Sequence, residues 1–187
     1  MTVSLSTTPL AAAGPHPIER TLDPARLGDH LDRLYRAAWA LCGSREDAED
    51  LVQETYTRLL ARPRLLRNED DLGYLLRALR NTFLNQKRTA SRRLRSDPLP
   101  EQLDLVEDRQ ALQPQAALEA QELYAAIAAL PAGFRDVLVA VDVTGLSYKE
   151  TARALRIREG TVMSRLYRAR QQVVRRVEGG PSSPAAG

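Results

Sequence analysis

At 187 residues, with 43% hydrophobic and 27% charged side chains, the chain holds enough apolar material for one modest core or two small ones. Its net charge of +3 is too small to demand a polyanionic partner, the single Cys42 excludes an intramolecular disulfide, and no apolar run approaches the roughly 20 residues that span a bilayer. A reducing, cytoplasmic setting without membrane insertion is expected, and a chain rich in Leu, Ala, Arg and Glu with only 5% aromatics predicts an all-α protein.

Residues 1–21 are rich in Thr, Ala and Pro, lack the basic and apolar regions of a secretory signal, and read as a disordered tail. Asp23-Pro24 caps a first helix whose apolar positions Leu27, Leu31, Leu34, Ala38 and Leu41 run to a stop at Gly43. Ser44 with Asp47 starts a second helix, in which Ala48, Leu51, Val52, Thr55 and Leu59 recur at helical spacing until Pro63. Beyond a polar loop, Leu72, Leu75, Leu76, Leu79 and Phe83 mark the buried stripe of a third helix. These three helices make a first module, 22–95.

Residues 96–113 turn acidic and proline-bearing without sustained periodicity, as a flexible linker does. The second module, 114–178, opens with a helix ended by Pro131 and continues through Phe134, Val137, Leu138 and Val141 to a break at Gly145. Ser147 and Glu150 then form a capping box for a short helix ending near Arg156, and Val162, Leu166, Ala169 and Val173 hold one face of a longer basic helix. A short helix, a tight turn and a longer helix outline a helix-turn-helix. A second loose tail, 179–187, closes the chain. The predicted fold is two small helical domains on a flexible linker, the second carrying the helix-turn-helix.

The exposed faces differ in chemistry. On the last helix Ser164, Tyr167, Arg168 and Gln171 point away from the apolar stripe and suit a DNA major groove, with Arg158, Arg165 and Arg170 flanking them toward phosphates. On the third helix Tyr74, Arg77, Asn81, Asn85, Arg88 and Arg92 share a face fitted to DNA whose bases have left the stack. On the second, Glu46, Asp50, Gln53, Glu54 and Thr57 form an acidic stripe that repels phosphates and suits a basic protein surface. Each face also has the plain alternative of a solvated polar surface. Trp39 and Cys42 read as core residues. His16 and His30 have no ligand cluster around them, so no metal is expected. With no phosphate loop and no nucleophile, base and orienter set, neither catalysis nor a cofactor is expected.

Two stretches together resemble the extracytoplasmic-function (ECF) group of the sigma-70 family: Asp47-Ala-Glu-Asp-Leu-Val-Gln-Glu-Thr-Tyr56, and Leu130-Pro through Gly145-Leu-Ser-Tyr-Lys-Glu150 to Gly160-Thr-Val-Met-Ser-Arg-Leu-Tyr-Arg-Ala-Arg170. The resemblance covers about Leu27 to Val177. It implies a promoter-recognition subunit built from sigma region 2 (22–95) and sigma region 4 (114–178), with core RNA polymerase (its β′ clamp and β subunits), promoter DNA and an anti-sigma factor as partners. It places polymerase contacts on Asp47, Asp50, Leu51, Gln53 and Glu54. Downstream-element contacts fall on Tyr74, Arg77, Asn81, Asn85, Arg88, Arg92 and the loop before them. Upstream-element contacts fall on Arg158, Thr161, Met163, Ser164, Arg165, Tyr167 and Arg168. The family's turn usually carries a proline where this chain has Arg158, and its recognition helix often has Lys or Arg where Met163 stands, so base preference does not transfer. Tyr148-Lys-Glu with Gly160-Thr-Val-Met-Ser-Arg looks closest to the branch answering thiol-oxidative stress through a zinc-containing anti-sigma factor. The rival reading is a helix-turn-helix regulator that works without polymerase.

Overall fold

The computed structural model describes residues 19–21, 24–61, 65–67, 71–96 and 115–179. The first helix is shorter than the apolar pattern predicts. Pro24–His30 is a 3-10 turn, and α1 runs only Leu31–Cys42, ending on Gly43 in the left-handed conformation at φ 87°. Three residues per turn ahead of Leu31 break the 3.6-residue register, so Leu27 is buried while Leu31 stands 47% exposed. In α2 (Arg45–Leu60) the Asp47 N–H donates to the Ser44 hydroxyl, and Ala48, Leu51, Val52, Thr55 and Leu59 are buried, matching the expected stripe. The same holds for α3 (Asp71–Ser96), where Leu72, Leu75, Leu76, Leu79 and Phe83 are buried.

Two short strands join these helices. Residues Glu19–Thr21 (β1), at the end of the segment expected to be loose, pair antiparallel with Leu65–Arg67 (β2), between α2 and α3. Residues 1–18 and 97–114, which hold most of the expected tail and linker, and residues 180–187 lie outside the described residues.

In the second half, α4 (Gln115–Ala128) and α5 (Ala132–Leu138) lead into a π turn over Val139–Val143, followed by α6 (Tyr148–Leu155) and α7 (Glu159–Glu178). The capping box is complete: the Glu150 N–H donates to the Ser147 hydroxyl at 3.3 Å, and the Glu150 carboxylate accepts from the Ser147 N–H at 2.8 Å. Arg156 then turns the chain left-handed at φ 56°, and Val162, Leu166 and Ala169 seat α7 on α5 and α6.

The helical halves pack on one another, α1 against α4 and the π turn, α3 against α6, and their buried side chains merge into one cluster. Trp39 of α1 is 6% exposed, with its ring 4.2 Å from that of Tyr124 in α4 and stacked on it. Arg80 of α3 donates at 2.6 Å to Asp136 of α5, which is 7% exposed, and the Arg135 guanidinium lies 5.0 Å from the Phe83 ring. No sequence pattern predicted this seam. Its one signal was an acid, Asp136, inside the apolar run of α5.

Candidate nucleic-acid interface

Asp47, Asp50 and Gln53 are exposed on α2, and Glu54 is half-buried. Glu54 accepts from Arg58 one turn on and from Gln86 of α3, so its carboxylate is already used within the module. Asp47 and Asp50 instead border a groove of 250 Å³ shared with Gln86 and Lys87 of α3. Asp47 also sits in the first turn, where a carboxylate complements the helix dipole. Leu51 does not belong to this face. It is 0% exposed because it lies on the inward stripe with Ala48 and Thr55.

Tyr74 and Arg77 on α3 are half-buried, and Asn81, Asn85, Arg88 and Arg92 are exposed. At 1.5 Å per residue the six form a strip about 27 Å long. Its start is shaped: the Arg77 guanidinium lies 5.5 Å from the Tyr74 ring. A cavity of 280 Å³ between α2 and α3 is lined by Arg58, Tyr74, Arg77, Asn81 and Thr82 among others. An aromatic ring, an amide and cations around one cavity offer stacking, edge hydrogen bonds and phosphate charge to an unpaired nucleotide.

On α7 the outward residues are Met163, 56% exposed, and Tyr167, 64% exposed, with Ser164 and Arg168 beside them. Thr161 is half-buried, and its carbonyl accepts from the Ser164 hydroxyl at 3.2 Å, while Arg158 is exposed just ahead of the helix. Two flanking arginines have neighbours within the fold. Arg170 forms a two-pronged pair with Asp142 of the π turn at 2.7 and 2.9 Å, which raises its pKa and ties α7 to that turn. Arg165 lies against the backbone of Gly133, where a Cβ would come within 3.2 Å of its guanidinium. Helical spacing alone carries no sign of these neighbours on α5 and the π turn.

Cys42 donates weakly to the Asp47 carbonyl at 3.8 Å, and burial, reinforced by the Asp47 charge, raises its thiol pKa to about 11. Among the described residues no group of three or more His, Cys, Asp or Glu gathers into a metal site, and no helix is long and apolar enough to cross a membrane.

Comparisons with known proteins divide the chain along the same lines. Residues 27–93 match the family model described as Sigma-70 region 2, and residues 120–173 match Sigma-70, region 4. The ECF RNA polymerase sigma factor SigE of Mycolicibacterium smegmatis is 38% identical over 147 residues, covering 77% of this chain and 57% of that protein. The chain thus spans little more than half of that relative's length. EcfG of Rhodopseudomonas palustris is 33% identical over 75% of this chain and 76% of its own length. Among solved structures, RpoE bound to the anti-sigma factor NepR from Bartonella quintana shares the fold at TM-score 0.64 and 23% identity, covering 84% of this chain and 97% of that one. CnrH bound to the cytosolic domain of CnrY does so at TM-score 0.59 and 20% identity, covering 84% and 89%.

Proposed function

The chain belongs to the ECF group of sigma-70 RNA polymerase sigma factors, and we propose that it binds core polymerase and directs promoter-specific initiation in the cytoplasm. It is not an enzyme. Region 2, within 22–95, docks on the polymerase through Asp47, Asp50 and Gln53 and holds the opened downstream element on α3. Region 4, within 114–178, sets α7 in the major groove of the upstream element with Met163, Ser164, Tyr167 and Arg168 toward the bases. The residues between, 96–113, link the two. The observation that carries this reading is one module presenting two faces of opposite sign, Asp47 and Asp50 on α2 against Asn81, Asn85, Arg88 and Arg92 on α3. A regulator that acts without polymerase has no use for the first face.

An anti-sigma factor is the expected antagonist, as the neighbours RpoE and CnrH are each held in a complex, RpoE with an anti-sigma factor. The finer assignment, to the branch answering thiol-oxidative stress, rests on Tyr148-Lys-Glu and Gly160-Thr-Val-Met-Ser-Arg. With the one thiol of this chain half-buried and its pKa raised, redox sensing falls to the partner.

In vitro transcription from genomic DNA of the source organism, with core polymerase alone and with core plus this protein, tests the proposal. Discrete new start sites sharing two spaced upstream motifs, lost when Asp50→Lys is introduced, are expected. Absence of new starts together with tight duplex binding by the free protein would establish the rival regulator.

A further inference from the structure

Met163 and Tyr167 are the large apolar side chains that the first three turns of α7 leave exposed, at 56% and 64%. The chain around them is strongly cationic. Residues 148–178 hold nine Lys and Arg against three Glu, and Arg153, Arg156, Arg158 and Arg168 are exposed. An apolar protein surface pressed onto this face would bury those charges unmatched, whereas a polyanion that also offers an apolar group meets both. Gly160, three residues before Met163, adds to this. Its backbone is not left-handed, and a Cβ built there would meet nothing within 4 Å, so neither conformation nor packing inside the fold calls for glycine. Glycine weakens a helix and is of use where something from outside must approach the backbone closely. Helical side chains lean toward the N-terminus, which carries the Met163 thioether over that bare turn.

We propose that Met163 reads the C5-methyl group of one thymine in the upstream element, with Gly160 leaving the room for it. On the sigma-factor reading, on which this step depends, α7 lies in a major groove. Base edges there present hydrogen-bond acceptors, hydrogen-bond donors and one apolar group, the thymine methyl. A thioether has no donor and is a weak acceptor, so the base feature it can select is the methyl. Its neighbours are not limited in this way. Tyr167 has a phenolic hydroxyl, Arg168 a guanidinium, and Ser164 a hydroxyl that donates to the Thr161 carbonyl and can still accept. Each of them can address the hydrogen-bonding edges or a phosphate. Met163 therefore sets a preference for thymine by burying apolar surface, without a hydrogen bond. Loss of one buried methyl changes affinity roughly three- to fivefold.

The test uses holoenzyme reconstituted from core polymerase and the full chain, on a promoter that it selects. Each thymine in either strand of the upstream element is replaced in turn by uracil, which keeps every hydrogen-bonding group and removes only the methyl. Affinity for the duplex promoter is measured for the unaltered protein, Met163→Leu and Met163→Gln. One position is expected to lose roughly three- to fivefold on uracil substitution. At that position Met163→Leu, still apolar, keeps the loss, and Met163→Gln binds the thymine and uracil duplexes alike. Both substitutions fall on an exposed residue and leave the fold intact, which urea melts verify. Absence of any uracil-sensitive position overturns the proposal. So does a penalty that persists in Met163→Gln, since the methyl then belongs to another side chain, and so does loss of core affinity in Met163→Gln, which would make the apolar pair a protein contact. If scrambling the whole upstream element leaves initiation by the unaltered holoenzyme unchanged, the sigma reading itself fails and the methyl contact with it, an outcome read before any uracil is introduced.

Discussion

Asp50 and Leu51 are adjacent in sequence and face opposite ways, one exposed beside the α2–α3 groove and the other with no exposed surface. Asp50→Lys is expected to change unfolding free energy by no more than about 0.5 kcal/mol while weakening core polymerase binding. Leu51→Ala is expected to cost about 2–5 kcal/mol and to lose binding only by unfolding region 2. Urea melts beside polymerase titrations separate the two. The Cys42 thiol carries a pH dependence of its own. With its thiol pKa at about 11 instead of 9.0, alkylation at pH 8 proceeds on the order of 100-fold more slowly in the folded protein than after denaturation. A folded pKa above the unfolded one means that the unfolded chain loses the proton first. The contribution of Cys42 is therefore fully present below pH 9 and is lost as pH rises toward 11, a slope that Cys42→Ser removes.

Among the elements, the helix-turn-helix depends on local chemistry at both ends of α6. The Ser147–Glu150 box holds its start, and its end is Arg156 in the left-handed region, a position more commonly glycine. Ser147→Ala is expected to cost about 1 kcal/mol in thermal or urea unfolding. It should also weaken binding to upstream-element duplex, because α6 packs against α7 and supports it. The α7 partners act in the same way: Arg170 serves Asp142 and the π turn, while Met163, Ser164, Tyr167 and Arg168 stay exposed on the outward face. These capping signals and stripes were legible in sequence because they join residues three or four apart. The π turn was not, since a single widened turn leaves no period of its own.

Across the whole molecule, the two halves are held by the Trp39–Tyr124 stack, the Arg135–Phe83 contact and the Arg80–Asp136 pair. Removing the buried partner of such a pair costs more than the pair itself contributes, because the remaining charge loses its match. Asp136→Asn is therefore expected to loosen the seam: the radius of gyration from X-ray scattering rises, and emission from Trp39, the only tryptophan, shifts as the ring leaves Tyr124. An unchanged radius and spectrum would mean that apolar contact between α1 and α4 suffices without the ion pair. An arrangement of this kind fixes the α3 and α7 faces relative to each other for as long as the seam holds.

The helices, their inward stripes and the chemistry of three outward faces were legible in the sequence, because each depends on neighbours within about one helical turn. Tertiary structure alone decided which members of those faces are free. It withdrew Leu51 into the core, engaged Glu54 and Arg170 within the fold, set Arg165 beside Gly133, joined the modules through Asp136, and paired residues 19–21 with residues 65–67. Most of these contacts link residues some 28 to 56 positions apart in the chain. No periodicity in a sequence reports on separations of that length, since what brings such residues together is the packing of whole helices.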